Sequence, residues 1–339
     1  VTGLERVMAA LTGSSADRRA VAPLLSLYGS RLAGIPTERY YRDPASYAEG
    51  QAAVAERFDP DILFGPFSLA LEAEAFGAEL QWPANAPPIV RRPPLSAEAA
   101  EYPRPTPESS ASLAFMVEAV SRIAAASAGR VPAAAALTAP TDLPALLFGI
   151  DSWLEILLFR PIEAARILRM AEDHFVALAS AFLAAGAAFV VVPVMFANPA
   201  ILTDTLVATL TVPALSRAFA RVPGPVVFHH GANPLADRIG LFSSLPQVAG
   251  FALDESDESA RARAELGPDR LILGGPCGPN LRRRAPREIR EDAERRLRER
   301  ADDPRFVLIT SAADVPWDTP EENIDALLDA ARAGEATRG

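Results

Sequence analysis

The chain has 339 residues, half of them hydrophobic and 22% charged, so it can bury a substantial core and global disorder is excluded. Its 33 basic and 43 acidic residues give a formal net charge of −10, which argues against nucleic acid or an anionic membrane surface as a partner. Every basic residue is arginine. Without lysine there is no Schiff base, no pyridoxal phosphate linkage and no P-loop lysine, and the lone Cys277 excludes an intrachain disulfide or a multi-cysteine zinc knuckle.

In chain order, Val21 to Leu27, Asp61 to Phe64 and Val131 to Leu137 read as buried strands, with Asp43-Pro44 and Thr106-Pro107 each starting a helix. Residues 78 to 107 are rich in proline and read as an excursion rather than a linker between domains. Residues 177 to 202 are apolar, but Ser180, Gly186, Pro193, Asn198 and Pro199 interrupt them, so a helix ending at Gly186 and a valine-rich strand are expected instead of a membrane span. From there, apolar runs alternate with amphipathic helices: Phe189 to Val194, Pro225 to His229, Val248 to Asp254, Leu271 to Gly275 and Phe306 to Thr310. Residues 286 to 301 form a solvated helix of mixed charge. Thr319-Pro320-Glu321-Glu322 supplies an N-cap, a proline at the first helical position and a capping-box carboxylate for the last helix, whose apolar stripe is Ile324, Leu327, Leu328 and Ala331. Eight strand and helix alternations with no GxGxxG predict a closed (β/α)8 TIM-type barrel with an N-terminal extension and the proline-rich excursion, one domain spanning residues 1–339. No basic and apolar leader opens the sequence, which sets the expectation of a cytoplasmic protein.

In such a barrel, chemistry sits at the C-terminal ends of the strands. There the sequence places His229-His230-Gly231-Ala232-Asn233, Asp254-Glu255, Gly275-Pro276-Cys277-Gly278 and Ala313-Asp314. His229, Asn233 and Asp254 are the candidates for catalysis. His229 and Cys277, with Asp314 or Asp254, are the candidates for a zinc site with an open position, able to ionise a substrate thiol. The structural alternatives are an N-cap role for Asp254, a turn role for Asn233 and plain packing for Cys277. Neighbouring strand residues face opposite sides, so only one of His229 and His230 is expected to enter the barrel. His174 falls inside a helical stretch, where a surface or packing role is expected.

Several motifs together carry a resemblance: Arg6-Val7-Met8-Ala9-Ala10-Leu11, Phe58-Asp59-Pro60-Asp61 before an acidic helix ending at Gly77, the strand ends above, and Ala313-Asp314-Val315-Pro316 through Thr319-Pro320-Glu321-Glu322-Asn323-Ile324. In these the chain resembles the uroporphyrinogen decarboxylase superfamily, and within it the methylcobamide:coenzyme M methyltransferase branch. That resemblance implies zinc on a His-x-Cys pair after the fifth strand and a cysteine after the eighth. The pattern falls on His229, Gly231 and Ala313, so both thiolate positions are empty: either Cys277 or a carboxylate replaces them, or zinc is lost. The decarboxylases' catalytic aspartate falls on Ser68, and their Arg-Gln-Ala-Gly-Arg stretch is replaced by Leu27-Tyr28-Gly29-Ser30-Arg31. The resemblance implies a methyltransferase acting on a small-molecule substrate. Its methylcobamide would be supplied by a separate corrinoid protein, since no Asp-x-His-x-x-Gly signature is present. The alternatives are a metal-free decarboxylase or lyase, with a histidine as proton donor and arginines on carboxylates, or a degenerate barrel that only binds.

Overall fold

The computed structural model describes residues 1–96, 99 and 101–333. Eight parallel strands form one sheet: β1 (Val21–Ala22), β2 (Leu63–Phe64), β3 (Ala133–Ala136), β4 (Phe189–Pro193), β5 (Val226–His229), β6 (Val248–Ala252), β7 (Leu271–Gly274) and β8 (Phe306–Ile309). From β2 to β8 each pairs with the next, and β8 pairs with β1, so the sheet curls into a (β/α)8 barrel. All eight predicted runs are strands. The first is much shorter than its run because Pro23 has no N–H to continue a ladder, and the Leu24 amide goes instead to the Thr310 hydroxyl at 2.8 Å.

One seam lacks a strand ladder. Between β1 and β2 the closure is made by Asp61, whose N–H donates to the Val21 carbonyl at 2.9 Å while its carboxylate accepts the Val21 N–H at 2.7 Å. The same carboxylate takes Arg18 at 2.5 Å and Arg6 at 3.1 Å, and Arg6 also holds Asp17 at 2.6 Å. Asp61 and Arg18 are both buried. The helix Gly3–Thr12, capped by Thr2, thus pins the N-terminal extension under the barrel floor.

Alternation along the strands sorts two cores. Ala134, Ala136, Val191, Val227, Leu273 and Ile309 point into the barrel, whereas Ala133, Val190, Val192, Phe228 and Leu308 pack outward against the helices. Alanines on the inner face fill less than the branched residues that usually pack a barrel, and a small axial cavity of about 30 Å³ remains. The proline-rich excursion forms an antiparallel hairpin, Glu79–Gln81 with Ile89–Arg92, beside the mouth.

The interrupted apolar stretch is the helix Pro161–Ala184 followed by β4, and no helix among the described residues is long and apolar enough to cross a membrane. Asp43 caps its helix as expected, accepting the Ala45 and Ser46 amides. Two caps are displaced. Ser110, not Thr106, opens the helix Ala111–Ala126, because residues 106–109 close a turn of their own. In the last helix, Glu321–Arg332, Pro320 stands at the cap, since the Thr319 carbonyl is claimed by Tyr28 and Arg31.

Replacing Asp61 removes the acceptor shared by Arg6, Arg18 and the β1 amide. Asp61→Ala is expected to cost about 3–5 kcal/mol, and Asp61→Asn less, measured by urea unfolding. A loss under about 1 kcal/mol for Asp61→Ala would show that the seam closes without it.

Candidate functional site

His229 is the last residue of β5 and two positions beyond the inward-facing Val227, so its ring enters the barrel and lines the axial cavity with Phe67, Ile62 and Val191. Its Nδ1 accepts the N–H of Gly231 at 3.1 Å. In a neutral imidazole the other nitrogen then carries the proton, so Nε2–H is a donor. Burial, helped by the neighbouring His230, holds the imidazole well below its ordinary pKa and keeps it uncharged at neutral pH.

His230 does not turn away to the opposite face. The strand ends at His229, Gly231 and Ala232 both take left-handed backbone (φ 63° and 66°), and the two rings stack at 4.4 Å between centroids. Strand alternation therefore stops governing one residue earlier than the sequence suggests. His230 Nε2 accepts the Ala312 N–H across the mouth at 3.1 Å, and Nδ1 faces Asp254 at 3.7 Å. Burial lowers its pKa, partly offset by Asp254 and Asp257. Burial raises the Asp254 carboxyl, but the Ser256 hydroxyl and amide and His230 outweigh that and leave it below its usual value. Asp254, expected at the site, thus stands behind His230.

The other expected residues are committed elsewhere. Asn233 donates its side-chain amide to the Met195 and Gly231 carbonyls at 3.2 and 3.1 Å, fastening the loop after β5 to the loop after β4. Cys277 is half-buried, and burial pushes its thiol up, with Glu255 and Asp254 adding to the effect, so it stays protonated. Asp314 accepts the Leu27 N–H at 3.0 Å; it is half-buried at the mouth, and the protein packed around it pushes its carboxyl up to about 8. His174 is buried on Phe76 at 4.9 Å and meets Glu72 at 3.4 Å, a packing role.

The implied zinc does not fit these residues. A Cβ at Gly231 would overlap the Val194 carbonyl and lie 2.7 Å from the Met195 Cα, so no side chain can occupy the first thiolate position on this backbone. A metal-bound histidine normally donates its second N–H to an acceptor; here Nδ1 faces a donor, which leaves no lone pair on Nε2 for a metal. His229, Cys277 and Asp314 are not brought together, and among the described residues no three His, Cys, Asp or Glu side chains are placed to hold an ion.

Above the axial cavity lies a mouth groove of about 700 Å³. Its walls include Leu27, Leu69, Pro88, Val90 and Leu146, with Ala313 and Asp314 on the β8 side. Phe67 borders both the groove and the axial cavity, its ring 6.3 Å from that of His229 and its amide fixed to the Ser26 hydroxyl at 2.9 Å. Phe67 was not singled out in the sequence; its signal is an aromatic in the Gly65-Pro66 turn directly after β2. Asp142 and Asp257 were missed as well. Asp142 is buried and accepts the amides of Met195, Phe196 and Ala197, and burial lifts its carboxyl to about 7 against their pull. Asp257 accepts the amides of Leu235, Ala236 and Asp254.

Fold and site together define a TIM-type barrel with a buried, neutral histidine beneath an apolar mouth. The family model described as uroporphyrinogen decarboxylase (URO-D) matches residues 2–334, and the chain belongs to this family. Among solved structures it is similar to a methyltransferase from Methanosarcina mazei, at 20% identity and TM-score 0.85, with 98% of each chain covered. It is also similar to a B12-independent methionine synthase from Shewanella sp. W3-18-1, solved with selenomethionine, at 10% identity and TM-score 0.58, covering 94% of this chain and 95% of that one. No curated protein matches the sequence.

Two outcomes are expected. Gly231→Cys, alone or with Ala313→Cys, should lose about 2–4 kcal/mol or more of stability and leave zinc at background by elemental analysis; a stable double variant with stoichiometric zinc would contradict the steric argument. Asp314 has a folded pKa above its unfolded one, so its contribution is complete below the unfolded value and is lost as pH rises to about 8. Wild type should therefore lose stability relative to Asp314→Asn between pH 4 and 8, by up to about 1.4 kcal/mol per unit, in parallel denaturant titrations. A constant difference would show that the carboxyl ionises normally.

Proposed function

We propose that the protein is a methyltransferase that moves a methyl group between a small molecule held in the mouth groove and a corrinoid presented by a separate protein. The observation that carries this reading is the neutrality of the site. A decarboxylase of tetrapyrroles must hold several carboxylates, but among the described residues Arg282 is the one arginine bordering the groove, and it faces Asp318 at 3.4 Å. Ser68 stands where the decarboxylases carry their aspartate. The likeness over 98% of both chains to the Methanosarcina methyltransferase supports the same reading.

No residues of this chain are assigned to hold the corrinoid, which supplies the metal centre that accepts or returns the methyl group. The chain's own part is to bind, desolvate and orient. The groove walls strip water from the substrate, Phe67 sets how deep it can reach, and His229 offers an Nε2–H to charge developing on the atom that loses the methyl group. A neutral imidazole in a dry cavity stabilises such charge as a hydrogen-bond donor. Zinc has no part in this scheme, so activation falls to these groups and to the protonated Asp314 carboxyl at the mouth.

The test uses cob(I)alamin in excess reductant as the stand-in acceptor, with methanol, dimethyl sulfide and anisole as methyl donors. The expected result is loss of the cob(I)alamin absorbance that depends on the protein, slowed about 10–1,000-fold in His229→Phe. Equal rates with and without protein would overturn the reading. Carbon dioxide release from a carboxylated substrate without any corrinoid would favour the decarboxylase, and ligand binding with no turnover would favour a barrel that only binds.

A further inference from the structure

We propose that the mouth groove takes an uncharged methyl ether with an apolar body and that Ser68 recognises the ether oxygen. The assignment of a methyl donor rests on the function proposed above; the choice of an uncharged ether rests on the groove itself.

Ser68 is only 4% exposed, it belongs to the groove wall, and its hydroxyl has no hydrogen-bond partner among the described residues. A buried hydroxyl left without a partner costs about 1–3 kcal/mol, and a ligand that supplies an acceptor removes that cost. The backbone beside it is anchored, because the adjacent Phe67 amide is tied to Ser26, whose hydroxyl is in turn bonded to Tyr47 at 2.8 Å. Ser68 therefore stays in the groove wall with an unpartnered hydroxyl that can donate to an acceptor.

The rest of the wall sets the class of molecule. Leu69, Pro87, Pro88 and Val90 offer apolar surface and no counter-ion. Arg282 and Asp318 face each other, and Asp314, the other acid in the wall, keeps its proton near neutral pH. A carboxylate, sulfonate or phosphate would thus have to compete with Asp318 for Arg282, and a quaternary ammonium would have to compete with Arg282 for Asp318. An ether oxygen accepts a hydroxyl hydrogen bond better than a thioether sulfur does, which points to the ether.

The experiment is equilibrium binding by calorimetry at pH 7, without corrinoid, of anisole, its hydrocarbon isostere ethylbenzene and 4-methoxybenzoate. Anisole is expected to bind at least 5-fold more tightly than ethylbenzene and at least 10-fold more tightly than 4-methoxybenzoate. Ser68→Ala should weaken anisole about 5-fold and leave ethylbenzene unchanged, which separates recognition of the oxygen from damage to the groove. Equal or tighter binding of 4-methoxybenzoate, no measurable binding of anisole, or the same loss for anisole and ethylbenzene in Ser68→Ala would each overturn the proposal. If anisole binds as expected but transfers no methyl group, the function proposed above fails while the groove assignment stands. If a charged donor methylates the corrinoid and anisole does not bind, the reverse holds.

Discussion

Loops leaving the C-terminal ends of parallel strands carry backbone N–H groups that no neighbouring strand can accept, and burying them without partners costs free energy at every step around the rim. Here side chains of the adjacent loop meet that demand almost throughout. Ser26 takes the Phe67 amide, Glu72 the Thr138 amide and Asp142 three amides after β4. Asp257 takes three more around β5 and β6, Glu255 takes Cys277 and Asp314 takes Leu27. Between the last two strands, backbone bonds joining Gly278 and Ser311 to Ser311 and Pro276 do the same work. The rim is a laced ring, and its lacing is mostly carboxylate.

That constraint decides the chemistry left over. A carboxylate that holds three amides cannot also swing onto a substrate or a metal, so Asp142 and Asp257 are structural. What remains at the mouth is neutral: Ser68, a protonated Asp314 and an imidazole kept uncharged by burial. The vacant thiolate positions belong to the same picture. Gly231 is needed where it is, because the chain must turn left-handed against the Val194 carbonyl to bring its own N–H back onto His229. The turn that excludes the cysteine is the turn that sets the tautomer of the histidine.

The barrel was legible because its signal is collective. Each of the eight apolar runs presents residues to two cores at once, and even Val21–Ala22, cut short by Pro23, keeps its place. The inward aim of His229 was legible too, being in phase with Val227. His230 was not, because alternation holds only while the chain is extended and Gly231 ends it. Nor could the sequence tell a catalytic acid from a lacing one. Asp254 and Asp257 are three residues apart on one loop, and which of them meets His230 and which meets the next loop's amides depends on how β5 and β6 sit side by side. Phe67 escaped for a related reason: a lone aromatic carries no periodicity, and its place between two cavities appears only in the fold.

A neutral site changes where the rate acceleration of the proposed reaction would have to come from. A metal-bound thiolate is activated by charge, so it works even when its surroundings are partly wet. His229 Nε2–H offers a single neutral hydrogen bond, and in water such a bond contributes little, since solvent competes for both partners. Its value grows with the dryness of the cavity around it. The alanine-lined barrel, a cavity of about 30 Å³ and the Phe67 ring above it keep the space beneath the mouth close to the size of one water molecule. In the proposed reaction, exclusion of solvent by Phe67 and hydrogen bonding by His229 would therefore be two parts of one device, and enlarging the cavity would weaken the histidine without touching it.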